Sequence, residues 1–402
     1  MEKVYITGAK RTPIGCFGGS LSTVSASDLG AIAISAAIKQ SRINVECIDE
    51  VIVGNVLSAG QGMGPGRQAA VKAGIPWKTP ALTLNMICGS GMKTIIDAAM
   101  KIRSGDMDVV VTAGIENMSQ APYLIDHHAR SGVRMGNQVM SDSLITDGLT
   151  DAFNHYHMGI TAENIARQFN ITRYEQDTFA LESQKRALKA IDNGEFEDEI
   201  TPVQVHTRKG NIEVITDEYP RRDSSLEKLS VLRPAFEKNG TVTAGNSSGI
   251  NDGAAALILA SEKAIQTLEL QPLAEIRSFG QGGVDASVMG LGPVPAIDNA
   301  LKKAKLDIKD IDLFEINEAF AAQAIGVLKS ISENHSVSID WLNQRTNVNG
   351  GAIALGHPLG ASGSRIVVSL LYQMIKNNKK RGLASLCIGG GMGTAVIIEL
   401  CS

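Results

Sequence analysis

The sequence predicts an α/β protein built from two halves that share one plan of strands and helices. Short apolar strands alternate with amphipathic helices toward both ends of the 402-residue chain. Residues 48–55 and 311–318 resemble each other, since each is an apolar strand entered through an acidic turn. Residues 253–260 and 393–399 are matching apolar strands that close the two halves. This self-similarity predicts duplicated βαβ halves whose layers pack on shared sheets.

A polar segment interrupts the first half. It is rich in Met, Asn, His and Asp and lacks the strand rhythm of its surroundings, so it predicts an inserted loop domain that shapes a binding site. One long helix is predicted over 161–192, which argues against a disordered linker. The predicted units are 1–120 plus 248–268 for the N-terminal half, 121–247 for the loop domain, and 269–402 for the C-terminal half.

The composition excludes several classes of function. A net charge of −4 and an aromatic content of 4% argue against a nucleic-acid binder, and the charge argues equally against binding to an anionic membrane. No apolar run is long enough to span a membrane, and the N-terminus enters a strand without a signal sequence. The five cysteines have neither Cys-x-x-Cys nor zinc-ligand spacing. We therefore predict a cytoplasmic globular protein with reduced thiols and no metal.

Cys88 stands where a predicted strand (81–87) turns into a predicted helix that begins near Gly91. The Gly-Ser-Gly that follows it permits a tight turn and the close approach of another group. A helix N-terminus presents unpaired N–H groups and positive potential, which favour a thiolate over a thiol. The pattern thus indicates a cysteine nucleophile, and its alternative is a buried structural cysteine.

Four motifs in fixed order extend this interpretation, and with them the chain resembles the thiolase family over essentially its whole length. Segments at 156–164 and 233–249 are similar to the biosynthetic, short-chain branch of that family. The four motifs are Cys-Gly-Ser-Gly at 88–91, Asn-Glu-Ala-Phe at 317–320, Gly-His-Pro-Leu-Gly-Ala-Ser-Gly at 356–363, and Cys-Ile-Gly-Gly-Gly-Met-Gly at 387–393.

The resemblance implies a five-layer αβαβα sandwich, a loop domain over the active site and a homotetramer. It also implies the condensation of two acetyl-CoA molecules to acetoacetyl-CoA and CoA, together with the reverse thiolysis. Acetyl-CoA, acetoacetyl-CoA and CoA are then substrates and products, and no separate cofactor is implied. That reaction needs a nucleophile, a base for a weakly acidic C–H, and donors for two developing oxyanions.

The resemblance also assigns catalytic roles. Cys88 would carry the acetyl group. His357 would deprotonate Cys88 and later donate its Nε2–H to the substrate thioester oxygen, whereas Cys387 would remove the C2 proton. Asn317 would hold a water in one oxyanion hole, and the backbone N–H groups of Cys88 and Gly389 would form the other. Without the motifs, a turn histidine, a buried strand cysteine and a capping asparagine are the alternatives.

Further positions match the family's contacts to CoA and to the acyl group. In the family these positions contact the pantetheine arm and the substrate end, line the space near the thioester with apolar side chains, or form the surface at the adenine end of CoA. These positions are His157, Met158, Ser248, Ala244, Arg221, Leu149, Met289, Phe320 and Phe236.

Four other functions are alternatives. A degradative 3-ketoacyl-CoA thiolase shares the catalytic set, so only the pocket distinguishes it, and the His-Met pair at 157–158 favours the short-chain branch. A ketoacyl synthase would carry a second histidine in place of Cys387. A dinucleotide-dependent oxidoreductase would need Gly-x-Gly-x-x-Gly between a strand and a helix, which neither glycine cluster provides. A non-catalytic acyl-CoA-binding relative should lack Cys88, His357 or Cys387.

Overall fold

The computed structural model describes residues 2–208 and 210–401, and in this part of the chain one mixed sheet runs through both halves. The strands are β1 (Val4–Arg11), β2 (Gly15–Cys16), β3 (Glu50–Gly54), β4 (Ala81–Leu84), β5 (Val109–Asn117), β6 (Tyr123–Ile125), β7 (Met140–Asp142), β8 (Val203–Thr207), β9 (Gly210–Val214), β10 (Asn251–Ser261), β11 (Ala274–Gly283), β12 (Leu313–Ile316), β13 (Arg381–Ile388) and β14 (Met392–Leu400).

Helices join these strands. The α-helices are α1 (Ala26–Ser41), α2 (Pro65–Lys72), α3 (Ser90–Arg103), α4 (Met158–Gln168), α5 (Arg173–Asp192), α6 (Leu226–Ser230), α7 (Glu262–Thr267), α8 (Pro293–Ala304), α9 (Ala321–His335), α10 (Ile339–Asn343), α11 (Ala352–Leu355) and α12 (Leu359–Lys376). Short 3₁₀ turns lie at Val45–Cys47, Met118–Gln120, His127–Ser131, Ala286–Leu291 and Ile308–Asp310, and a π-helical turn lies at Leu144–Leu149.

The strand order shows that the two halves are duplicates. The order is β4-β3-β5-β10-β1-β11-β14-β13-β12, and β2 adds to β10. In the N-terminal half β3 pairs parallel with β5, and β5 pairs antiparallel with β10. In the C-terminal half β12 pairs parallel with β13, and β13 pairs antiparallel with β14. Both halves even carry a register shift at the same place, after Ile6 in β1 and after Ile276 in β11. Among the described strands, two residue pairs of β1 and β11 join the sheets of the two halves, so the large sheet is two similar sheets hydrogen-bonded at one edge.

Three apolar cores divide the molecule into five layers, which confirms the predicted αβαβα sandwich. α1 and α2 cover the outer face of the N-terminal sheet, and α8 and α9 cover that of the C-terminal sheet. α3 and α12 lie between the two sheets. Strand residues alternate accordingly, so Val110 faces the middle layer while Val111 faces α1. α12 is buried on every side from Leu359 to Met374, as a helix between two sheets must be.

The two middle helices touch backbone to backbone at their N-terminal ends. A Cβ on Gly91 of α3 would lie 2.8 Å from the carbonyl oxygen of Gly360, and one on Gly363 would lie 2.2 Å from the backbone nitrogen of Met92. Only glycine permits this approach. Because Cys88 and His357 each stand two residues before one of these helices, the contact brings their two turns together.

The inserted segment is more structured than predicted. The single helix predicted over 161–192 is wrong, since α4 ends at Gln168 and α5 begins at Arg173. Asn170 adopts a positive φ of 50°, and Thr172 opens α5 with a capping box to Glu175. Two hairpins, β6–β7 and β8–β9, also lie in this segment, and both are separate from the large sheet.

In the described residues, 2–208 and 210–401, none of the helices combines the length and the apolar character needed to cross a membrane.

Candidate active site

A cleft of about 600 Å³ opens between the inserted segment and the N-terminal end of α12. Several residues predicted to bind CoA line it together with the predicted base, namely Leu149, His157, Arg221, Phe236, Ala244, Ser248, Phe320 and His357. The cleft also includes residues that the sequence analysis missed, among them Cys16, Phe17, Met118, Glu218, Tyr219 and Leu359.

The remaining predicted apolar residues pack next to this cleft. Met158, Met289 and Cys387 belong to one buried cluster that also contains Phe320 and contacts Phe236, two residues of the cleft wall. Cys387 is 1% exposed near the end of β13. The structure therefore joins the predicted substrate residues and Cys387 in a single apolar environment.

Cys88 lies in a strained turn between β4 and α3. Ile87 adopts a φ of 49°, a left-handed conformation that is rare for a β-branched residue. Ser90 holds the turn, because its Oγ accepts from the backbone N–H of Met86 at 2.8 Å and donates to the carbonyl of Ile87 at 2.7 Å. The nucleophile candidate thus occupies a sharp strand-to-helix turn whose strain the sequence did not reveal.

The Cys88 sulfur is held mainly as a thiol. Burial raises its pKa to about 12, while the backbone N–H groups of Gly389 and of Cys88 itself donate toward the sulfur and oppose that rise. These N–H groups favour the thiolate, as expected at a helix N-terminus, but desolvation outweighs them. The same two N–H groups were predicted to form an oxyanion hole, and the structure brings them together at Cys88.

Cys88 also contacts the segment that carries His357. It packs against a small apolar cluster that contains Met118 and Leu359, two residues of the cleft. Burial, and then the proximity of Cys88, raises the pKa of the Cys387 thiol. The two predicted cysteines are therefore neighbours, and the second is protonated in the absence of substrate.

His357 is held in one orientation by two hydrogen bonds. Its backbone N–H donates to Asn251 Oδ1 at 3.0 Å, and its Nδ1 lies 2.6 Å from Ser362 Oγ. Because Ser362 Oγ donates its own proton to the carbonyl of Pro358 at 3.0 Å, it accepts the proton of Nδ1. The Nε2 of His357 is consequently unprotonated and able to accept a proton.

The imidazole of His357 is neutral near pH 7. Burial, together with the nearby charge of Arg365, lowers its pKa to about 3. Gly356, which precedes it, has a φ of 105°, and a Cβ there would lie 2.5 Å from the Asn251 side chain. The glycine thus lets Asn251 approach closely enough to bind the backbone of His357.

Asn317 completes this part of the site. Its backbone N–H donates to the carbonyl of Ser385 in β13, and its Nδ2 lies 3.5 Å from His357 Nε2. The Oδ1 of Asn317 is buried, and no group in the described residues bonds to it. Buried polar atoms of this kind are normally satisfied by a partner, so this oxygen is available to a small polar ligand.

His157 is both a structural and a cleft residue. Its Nδ1 accepts from the backbone N–H of Gly159 at 3.0 Å and so caps α4, and its ring stacks on Phe236 at 4.5 Å. Burial lowers its pKa. Because capping and stacking together fix the ring, His157 presents a preformed wall to the cleft.

Two further polar residues of this region were missed. Ser362 lies in the predicted motif, five residues after His357, and its role appears only from its hydrogen bonds. Glu116 is fully buried in β5, and an acidic residue at the end of an apolar strand was a signal that the sequence did contain.

The neutral imidazole of His357 predicts a pH dependence of stability. An unfolded histidine takes up its proton near pH 6.5, whereas folded His357 takes one up only near pH 3, so protons favour the unfolded chain between these values. We expect the melting temperature to fall less steeply from pH 7 to pH 4.5 in His357→Asn than in the wild type. The exposed His206→Asn variant should keep the wild-type slope. Equal slopes in all three proteins would contradict a neutral buried His357.

Comparison with known proteins agrees with this geometry. The model of the thiolase N-terminal domain matches residues 4–263, and that of the thiolase C-terminal domain matches residues 270–400. A Staphylococcus aureus protein named "Probable acetyl-CoA acyltransferase" is 52% identical over 400 residues, which are 99% of each chain.

Solved structures agree as well. The acetyl-CoA acetyltransferase from Syntrophomonas wolfei superposes with a TM-score of 0.97 at 42% identity over 100% of both chains. Human mitochondrial 3-ketoacyl-CoA thiolase superposes with a TM-score of 0.94 at 44% identity, covering 100% of this chain and 99% of its own. The chain therefore belongs to the thiolase family and is an acyltransferase.

Proposed function

We propose that this enzyme is a short-chain thiolase, an acetyl-CoA C-acetyltransferase that condenses two acetyl-CoA molecules to acetoacetyl-CoA and CoA and catalyses the reverse thiolysis. The observation that carries the proposal is that Cys88 and Cys387 are neighbours and pack against apolar clusters that share residues with the cleft, which is lined by His357 and the predicted CoA contacts. The names of its relatives cover both short-chain and longer-chain thiolases, so the chain length is the open part of the proposal.

The first half-reaction transfers an acetyl group to Cys88. The unprotonated Nε2 of His357 takes the proton of the Cys88 thiol, and the sulfur attacks the thioester carbonyl of acetyl-CoA. The N–H groups of Cys88 and Gly389 stabilise the oxyanion that develops. The C–S bond to CoA then breaks, and the departing thiolate takes the proton of Cys387. The products are acetyl-Cys88 and free CoA, and Cys387 is left as a thiolate while His357 keeps the proton of Cys88.

The second half-reaction forms a carbon–carbon bond. Cys387, as a thiolate, removes a C2 proton from a second acetyl-CoA, and the enolate oxygen is held by His357 and by a water bound to Asn317. The unpaired Oδ1 of Asn317 supports this role. The enolate carbon attacks the acetyl carbon, the C–S bond to Cys88 breaks, and the departing Cys88 thiolate takes its proton back from His357.

The packing around Cys387 favours a short acyl chain. Met158, Met289 and Phe320 are 8%, 3% and 7% exposed and fill the space beside Cys387. A long alkyl chain would have to displace at least one of these side chains, which disfavours its binding in a close-packed region.

The rate of CoA-dependent thiolysis should be measured for 3-ketoacyl-CoA substrates of increasing chain length. The proposal predicts activity that is confined to acetoacetyl-CoA and its nearest homologues. Comparable rates on long chains would instead identify a degradative 3-ketoacyl-CoA thiolase. No thiolysis at any length, together with tight acyl-CoA binding, would identify a non-catalytic binding relative.

We also propose a homotetramer, as the family resemblance implies. β4 is an edge strand with one unpaired side, and an arm formed by β6, β7 and their connection exposes apolar side chains. In this arm Tyr123 is 64% exposed and Met140 is 63% exposed, which is unusual for large apolar residues without a partner. Light scattering on the purified protein should report four chains, and a stable monomer would contradict the proposal.

A further inference from the structure

Glu116 is a buried carboxylate with only uncharged donors around it. It is fully buried at the end of β5, and each of its oxygens accepts two N–H groups. Oε1 accepts from Asn55 Nδ2 at 2.8 Å and from the backbone of Leu57 at 3.1 Å. Oε2 accepts from the backbone of Val56 at 3.2 Å and of Gly360 at 2.8 Å. No lysine, arginine or histidine in the described parts of the chain forms an ion pair with it.

One of these donors belongs to the segment that carries His357. Gly360 lies in the first turn of α12, three residues after His357, and its N–H is one that no helix carbonyl can satisfy. The Glu116 carboxylate thus accepts an otherwise unpaired N–H group at the N-terminus of α12, just after His357 in the chain. A Cβ on Gly360 would lie 2.9 Å from Glu116 Oε2, so glycine is needed at this position for the bond to form.

The other donors belong to a loop that holds the turn of Cys88. The carbonyl of Val56 accepts from Asn85 Nδ2 at 3.3 Å, and Asn85 Oδ1 accepts from the backbone N–H of Ile87 at 2.9 Å. Ile87 is the residue with positive φ directly before Cys88. One continuous path therefore runs from the turn of Cys88 through Asn85, Val56 and Glu116 to the segment of His357.

We infer that Glu116 is a positioning residue that fixes the Cys88 turn relative to His357. It touches neither reacting group, and it acts by holding the two turns in the register that proton transfer from Cys88 to His357 requires. This inference rests on the proposed function, because it names the residue that positions the proposed nucleophile relative to its base.

The test is a double-mutant cycle. In Glu116→Gln the amide –NH₂ must face two N–H donors whichever way it is oriented, so at least two of the four bonds are lost. We expect kcat for acetoacetyl-CoA thiolysis to fall about 100-fold with KM almost unchanged, as misplacement of reacting groups predicts. If Glu116 acts through the Cys88–His357 pair, Glu116→Gln/His357→Ala should be no slower than His357→Ala.

The matched control is Glu163→Gln. Glu163 is also buried, and it also accepts only uncharged donors, from Thr241 and Val242, but these donors belong to neither the Cys88 turn nor the His357 segment. We expect it to lower the melting temperature as Glu116→Gln does, and its effect on kcat should multiply with that of His357→Ala. If the effect of Glu116→Gln multiplies in the same way, the carboxylate is merely structural and the inference is overturned.

Two further measurements keep the test decisive. If Glu116→Gln does not fold, Asn85→Ala breaks the same path at an exposed residue and should show the same non-additivity with His357→Ala. If the wild type has no thiolysis activity, the proposed function fails, and the rate of Cys88 alkylation by iodoacetamide replaces kcat in the cycle. If Glu116→Gln slows alkylation of Cys88 in the wild-type background but not in the His357→Ala background, the inference is supported. If alkylation is slowed equally in both backgrounds, the inference is contradicted.

Discussion

Cys88→Ala is expected to lower the rate of acetoacetyl-CoA thiolysis by about 10⁴-fold or more, because the covalent path has no other nucleophile. The alanine side chain fits the half-buried turn, so the fold and CoA binding should be retained. A coupled CoA assay measures the rate, and intact mass after addition of acetyl-CoA measures the loss of the acetyl group.

Cys47→Ala is the matched control for this variant. Cys47 is also partly buried, but it packs against the outer core of the N-terminal half, away from the cleft. It should acylate and turn over at the wild-type rate. An acetyl group on Cys88→Ala that turns over with the substrate would show that another residue is the nucleophile.

Cys387→Ala is expected to separate the two half-reactions. Acetyl-Cys88 should still form from acetyl-CoA, since His357 alone takes the Cys88 proton, whereas condensation should fall about 10³-fold without the group that removes the C2 proton. Intact mass should therefore show an acetyl-enzyme that accumulates while the acetoacetyl-CoA signal is lost.

The variant Cys401→Ala serves as its control, because Cys401 is half-buried at the far end of β14 and outside the cleft. If Cys387→Ala loses acylation to the same extent as condensation, removal of the C2 proton is not its main role and the division of roles is wrong.

Much of the fold was predictable because its signals are local. Apolar strands with period two and helices with period near four recur in both halves, and that repetition alone predicted the duplication. The four motifs also predicted which residues meet in the site, since each lies at the end of a strand or the start of a helix. The structure places Cys387 beside Cys88, and the contact of α3 with α12 brings the turns of Cys88 and His357 together.

The remainder depends on contacts between distant segments. Gly360 and Gly363 lie inside α12, where their lack of a side chain allows the backbone of α3 to approach, and the motif itself gives no sign of that partner. The positive φ of Ile87 is imposed by the turn that Ser90 and Asn85 hold, and a β-branched residue gives no local sign of it.

The pKa of Cys88 was not predictable for a similar reason. The helix N-terminus is visible in the sequence, but the degree of burial is a property of the whole packed site. A Cys88 thiol needs a base, which is the role that the resemblance implies for His357.

Peptide mapping after a rapid acid quench with acetoacetyl-CoA tests the central claim most directly. The account predicts one acetyl group, on the peptide that contains Cys88, and its disappearance when free CoA is added. An acetyl group on the Cys387 peptide, or no acyl-enzyme at all in a protein that turns over, would contradict it.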